Sequence, residues 1–228
     1  MIGIIAAKDC ELELIKERMA TPVCERHGAI DFVRGTLEGR DAVIAVCGVG
    51  KVFAAMCAEA MVIEYSPEFI INTGVGGTLT PRLSIGDVAI ASRLCQHDMD
   101  TSAVGDEVGL VSGINKVYFD ADAAAVEKLS EAAAEIGIAT HVGVIASGDK
   151  FIAEKADKER ITSVFGASVC EMEGAAIAQV CFVNGIPFAV CRAISDNADG
   201  TSCDDFPSFI RSSAANSAEL VCRFLRKF

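Results

Sequence analysis

The chain has 228 residues, 51% of them apolar, with five prolines and no Pro-rich or Ser/Gly-rich linker, so residues 1–228 read as a single α/β domain with a large core. A formal net charge of −12, spread along the sequence, excludes a nucleic-acid partner held by its phosphate backbone. No stretch reaches membrane-spanning length, and the ten cysteines, scattered without a CxxC pair, read as small buried hydrophobes of a reducing cytoplasm, not as a disulfide framework or metal set.

Residues 2–7 form a continuous apolar run, the pattern of a strand buried on both faces, and lack the basic start of a signal peptide. Helical spacing follows from Glu11 to Met19. The runs 32–37 and 41–47, separated by Glu38-Gly39-Arg40, predict a hairpin. After Gly48-Val49-Gly50 the Ala/Met-rich stretch 51–65 predicts a helix, and Val52, Phe53 and Met56 on it suit a homodimer contact. A second buried strand, 69–72, runs into the Gly-rich turn Thr73-Gly74-Val75-Gly76-Gly77. Residues 85–92 read as a strand, 121–136 as an amphipathic helix, 139–146 as a strand reaching Ser147-Gly148-Asp149, and 155–164 as a helix. Val169-Cys170 precedes a helix over 174–184, 187–194 is the last strand, and 209–228 the closing helix. This alternation predicts a mixed central sheet covered by helices on both faces, with the ligand site beyond the strand ends. The phosphate-loop pattern GxxxxGK[ST] is absent.

Two acids stand out on that frame. Ser195-Asp196 follows the last apolar strand, where water is scarce and a carboxyl group suits proton donation. Glu173, at the head of the 174–184 helix, sits in a different environment, and such a contrast divides labour between donating a proton and binding or orienting. Arg192 is expected to pair with Glu171 or Glu173. His27, His97 and His141 show no metal-like grouping.

A set of short motifs, in order along nearly the whole chain, resembles the purine nucleoside phosphorylase and uridine phosphorylase superfamily, and within it the 5′-methylthioadenosine/S-adenosylhomocysteine nucleosidases. They are Gly3-Ile4-Ile5-Ala6-Ala7 leading to Glu11, Ile71-Asn72-Thr73-Gly74, Gly76-Gly77, His97-Asp98 with Asp100, Ser147-Gly148-Asp149 before Phe151-Ile152, Glu171-Met172-Glu173, and Arg192-Ala193-Ile194-Ser195-Asp196. The resemblance implies a three-layer αβα, nucleoside phosphorylase-like fold and hydrolysis of the bond between adenine and ribose, with no cofactor and no metal. It implies Asp196 as the acid that protonates the leaving adenine, aided by Ser195, and Glu11 as the carboxylate that activates water. Glu173 would grip the ribose hydroxyls and Met172 pack under the sugar. Phe151 would stack on adenine, the Ile152 backbone read its edge, Val75 and Gly76 line the pocket, and Phe206 close over it. Lys8, Val75-Gly76 and Val104 depart from the family pattern, and Lys8 would favour a substrate with a carboxylate tail. Two alternatives remain at this point: a phosphorylase of the same fold, and a nucleoside-binding protein without chemistry.

Overall fold

The structure is a computed structural model, and its description covers residues 1–196 and 206–228, without the side chains of 206–212. In chain order the elements are β1 (Ile2–Ala6), α1 (Asp9–Glu17), β2 (Ala20–His27), β3 (Ile30–Leu37), β4 (Arg40–Val46), α2 (Lys51–Tyr65), β5 (Phe69–Asn72), β6 (Val75–Thr78), β7 (Val88–Gln96) and β8 (Phe119–Asp120). They continue with α3 (Ala123–Glu135), β9 (Thr140–Ser147), α4 (Lys155–Phe165), β10 (Ala167–Glu171), α5 (Gly174–Asn184), β11 (Phe188–Asp196) and α6 (Phe206–Lys227).

Among the described residues the strands form one mixed sheet in the order β2-β3-β4-β1-β5-β11-β6-β10-β9-β7-β8. Every residue of β1 and of β11 is buried, as continuous apolar strands with helices on both faces must be. β11 organises the sheet. Its first part pairs in parallel with β5, its middle antiparallel with β7, and its end in parallel with β6, so the second half of the sheet closes on itself. One face carries α1, α3 and α6 over a core that includes Ile4, Leu12, Leu129 and Phe224. The other carries α2 and α5 over Ile5, Cys57, Met61 and Ile177. A third cluster, with Ile152, Ile161 and Phe165, seats α4. The fold is therefore a three-layer αβα arrangement around a mixed sheet.

The hairpin between β3 and β4 turns on two residues, not three. Glu38 and Gly39 both have positive φ, 50° and 79°, which gives a turn twisted like the strands it joins, and Arg40 already belongs to β4. Other boundaries differ for physical reasons. β2 escapes the sequence pattern because it is an edge strand, largely exposed and paired only with β3. The Gly-rich stretch after β5 is not only a turn, since residues 75–78 form β6. A Cβ on Gly76 would lie 2.8 Å from Val169 Cγ1, so the missing side chain is what lets β6 approach β10. β7 begins at Val88 and runs to Gln96, later than the 85–92 expected. Seven of the nine described cysteines are buried and none of the nine is bridged, while Cys24 on β2 is exposed.

Candidate active site

β1 delivers the chain to α1, and Glu11 falls in the first turn of that helix with its side chain turned back over the turn. Its Oε2 accepts from the backbone N–H of Ala7 (3.1 Å) and Lys8 (2.9 Å), and its Oε1 from that of Val75 (3.2 Å) at the start of β6. The carboxylate is 3% exposed and faces a helix N-terminus, where negative charge is favoured. Gly74 is obligatory here: its φ is +156°, and a Cβ would meet Glu11 Oε1 at 3.0 Å.

The second acid, Glu173, occupies the position before α5. Gly50 donates its N–H to Glu173 Oε1 at 2.9 Å from the turn that opens α2. That turn is braced from below: Lys51 Nζ donates to Asp98 Oδ1 (2.6 Å), Asp98 Oδ2 accepts from the Asp149 N–H (2.8 Å), and Asp149 Oδ1 accepts from the Lys51 N–H (2.7 Å). The His97-Asp98 motif therefore supports the site and does not enter it; His97 itself is buried, and burial pushes its pKa down.

Glu171 and Arg192 set the charge behind Glu173. Arg192 donates from Nε (3.2 Å) and Nη2 (2.5 Å) to Glu171 Oε2, from Nη2 to Asn72 Oδ1, and from Nη1 to the Cys191 carbonyl (2.9 Å). Glu171 Oε2 also accepts from the backbone N–H of Glu173 (3.0 Å) and Gly174 (2.8 Å), and Ser147 donates to Oε1. Of the two partners proposed for Arg192, Glu171 is the one it binds. Burial alone would raise Glu171, but the guanidinium and these donors hold it below the usual carboxylate range. Glu173 goes the other way: burial first, then the charge of Glu171, pushes it up from 4.5 to about 7.

The third acid, Asp196, ends β11. The Ser195 hydroxyl donates to its Oδ1 at 2.8 Å. Gly77 lies directly against the carboxyl group, since a Cβ there would sit 2.7 Å from Oδ2. Lys158 Nζ stands 3.7 Å from the same Oδ2.

These three acids share one cleft. Glu11, Glu173 and Asp196 line it together with Val75, Gly76, Phe151, Ile152, Met172 and Ser195, and Lys8, Val49 and Cys170 complete parts of its wall. Phe151 is 61% exposed, an aromatic face available at the cleft, while Ile152 is buried beneath it. Val104 is exposed and is not part of this wall. The Phe206 side chain lies outside the described residues. Sequence reasoning gave no role to Lys158. The available signal was its spacing with Ile161 and Phe165, three and seven residues on, which puts a lysine on the core-facing stripe of α4. Among the described residues no group of three or more His, Cys, Asp or Glu side chains converges as a metal-ligand set, and no helix is long and apolar enough to cross a membrane.

Known proteins match this chain over nearly its whole length. The family profile described as the phosphorylase superfamily matches residues 1–226. A 5′-methylthioadenosine/S-adenosylhomocysteine nucleosidase of Shewanella halifaxensis is 37% identical over 228 residues, covering 99% of each chain. Among solved structures, the nucleosidase of the same name from Neisseria meningitidis, in complex with methylthio-immucillin-A, superposes with a TM-score of 0.95 at 34% identity, over 100% of this chain and 99% of that one. A futalosine hydrolase of Helicobacter pylori superposes with a TM-score of 0.94 at 32% identity, over 100% and 97%.

Proposed function

Since the chain belongs to the phosphorylase superfamily and, within it, to the 5′-methylthioadenosine/S-adenosylhomocysteine nucleosidases, we propose that it hydrolyses the N-glycosidic bond of 5′-thio-substituted adenosines, releasing adenine and a thioribose. The observation that carries this reading is the convergence of Glu11, Glu173 and Asp196 on one cleft.

Each step follows from chemistry those groups supply. Adenine leaves poorly as an anion, so Asp196 donates a proton to N7 while the C1′–N9 bond breaks and its electron pair goes to the base. Ser195 holds the other carboxyl oxygen in place. The sugar then carries positive charge. Glu11, anchored by three backbone N–H groups, takes a proton from water as the oxygen bonds to C1′. Glu173 accepts from the ribose 2′ and 3′ hydroxyls, and its negative charge favours the sugar cation. Met172 packs under the sugar, Phe151 stacks on adenine above Ile152, Val75 and Gly76 form the wall beside Glu11, and Phe206 closes the pocket.

A phosphorylase needs cationic donors for its phosphate. Arg192 is buried and already engages Glu171, Asn72 and the Cys191 carbonyl, so it is committed to the protein. Glu11 at the cleft repels an anion and suits water. Both points favour hydrolysis over phosphorolysis.

Residues 1–228 act as one nucleosidase domain. Val52, Phe53 and Met56, exposed together on α2, support a homodimer built on that helix, and the nine described cysteines, all free and mostly buried, support a reducing cytoplasmic setting. Lys8, on the cleft wall, favours a 5′ tail bearing a carboxylate.

The test is incubation with 5′-methylthioadenosine, S-adenosylhomocysteine, adenosine and inosine, each with and without phosphate, following free base and sugar product. Phosphate-independent release of adenine and thioribose is expected. Release only with phosphate, yielding a sugar 1-phosphate, would overturn the role given to Glu11.

A further inference from the structure

Lys158 breaks the rule of its own helix. Ile161 and Phe165 fix the buried stripe of α4, and Lys158 lies on that stripe, only 5% exposed. Lysines are almost never buried this far unless paired, and a buried ion pair is seldom kept for stability, because apolar residues of similar volume fill the same space at least as well. Among the described residues Lys158 Nζ meets Oδ2 of Asp196, at 3.7 Å. Lys158 is not part of the cleft wall, so it reaches a bound nucleoside only through that carboxyl group.

We propose that Lys158 is the positioning residue of the acid: from behind the cleft its ammonium holds Oδ2 of Asp196 and stabilises the carboxylate left when the proton passes to the base. The inference rests on the nucleosidase reading and deepens it. Among the described residues Ser195 donates to Oδ1, Gly77 lies close against the carboxyl group and Lys158 Nζ stands by Oδ2. As the proton leaves, Asp196 turns from a neutral acid into an anion beside a fixed cation, and this attraction is stronger after transfer than before. It therefore lowers the barrier to the step and not only the energy of the bound state.

The other groups around the pair are few among the described residues. From β10 come the Cys170 thiol, which burial pushes up to about 12, and Glu171, tied to Arg192. Lys155 and Glu159 lie beside Lys158 at the outer surface of α4. Glu173, which burial and the Glu171 charge push up to about 7, lines the same cleft.

The test is a double-mutant cycle of Lys158→Met and Asp196→Asn, with Lys158→Gln and Lys158→Arg in parallel and folding checked by circular dichroism. Against wild type, Lys158→Met is expected to lower kcat by about tenfold, a part of the rate a positioned acid supplies, with KM within about threefold. Lys158→Arg, which keeps the cation, restores kcat. In the Asp196→Asn background Lys158→Met has no further effect. Equal losses in both backgrounds, or no rescue by Lys158→Arg, overturn the proposal. Should the wild type cleave no nucleoside, the nucleosidase reading fails by itself, and the same cycle is read in unfolding free energies: coupling upholds the pairing, and additivity overturns it. Lys158→Gln decides the matter if the methionine variant does not fold.

Discussion

Replacing Glu173 by Gln is expected to stabilise the protein at alkaline pH while abolishing its activity. The Glu173 carboxyl group is 6% exposed, and burial together with the nearby Glu171 charge raises it from 4.5 to about 7. A carboxyl raised on folding binds more protons in the folded than in the unfolded chain across that interval, so stability falls as pH rises from about 4.5 to about 7 and the loss is complete above it. Between about pH 5 and pH 8 the group removes about 2–3 kcal/mol from the folding free energy. Gln has the same shape and an amide oxygen that can still accept the Gly50 N–H, but it carries no charge to bury. The stability of Glu173→Gln minus that of the wild type should therefore grow by about 2–3 kcal/mol over the same range. The chain has no Trp, so urea unfolding is best followed by circular dichroism at a series of pH values. A difference that stays flat with pH would refute the reasoning. Loss of turnover in the more stable variant would show that the buried charge is kept for the sugar cation and not for the fold.

Asp196→Asn should lower kcat by about 10² to 10⁴ with little change in KM, measured by adenine release, because the amide keeps the shape and loses the proton. Gly77→Ala places a methyl group 2.7 Å from Asp196 Oδ2. It should cost at least about tenfold in kcat by moving the acid, and a crystal structure with Asp196 unmoved and full activity would contradict this. Arg192→Met leaves Glu171 buried without its cation and should destabilise the fold by about 3–5 kcal/mol in denaturant titrations; an unaltered midpoint would mean that Ser147 and the α5 backbone suffice to hold Glu171. Lys8→Met should reduce the preference for S-adenosylhomocysteine over 5′-methylthioadenosine, and an unchanged ratio of kcat/KM values would remove Lys8 from substrate selection.

What the sequence made legible follows from periodicity and from chemistry at chain ends of elements. The strands buried on both faces, β1, β5 and β11, are continuous apolar runs, and α2 runs over the same residues, 51–65, that its small side chains mark. The acids Glu173 and Asp196 were visible because each stands at the junction of a strand or turn with the element beside it, where side chains reach a cleft, while Glu11 entered only with the family resemblance. The edge strand β2 was not, since an exposed strand needs no apolar face, and Thr21 and Pro22 interrupt what pattern it has.

β6 and Lys158 were hidden for a deeper reason, and it is the same for both. Residues 75–78 look like a loop because the glycines give no hydrophobic signal, yet the sheet needs them bare: one lets β6 close on Val169, the next leaves room for the Asp196 carboxyl group. Lys158 looks like a solvated residue because lysine usually is one, yet it fills a core position of α4 facing that same carboxyl group. Each residue departs from the local rule of its element, glycine inside a strand and lysine on a buried stripe, and the departures meet at one atom, Asp196 Oδ2. Local rules are kept where only folding is at stake, so two violations that converge on a single oxygen mark the place where the fold gives up stability to hold an acid.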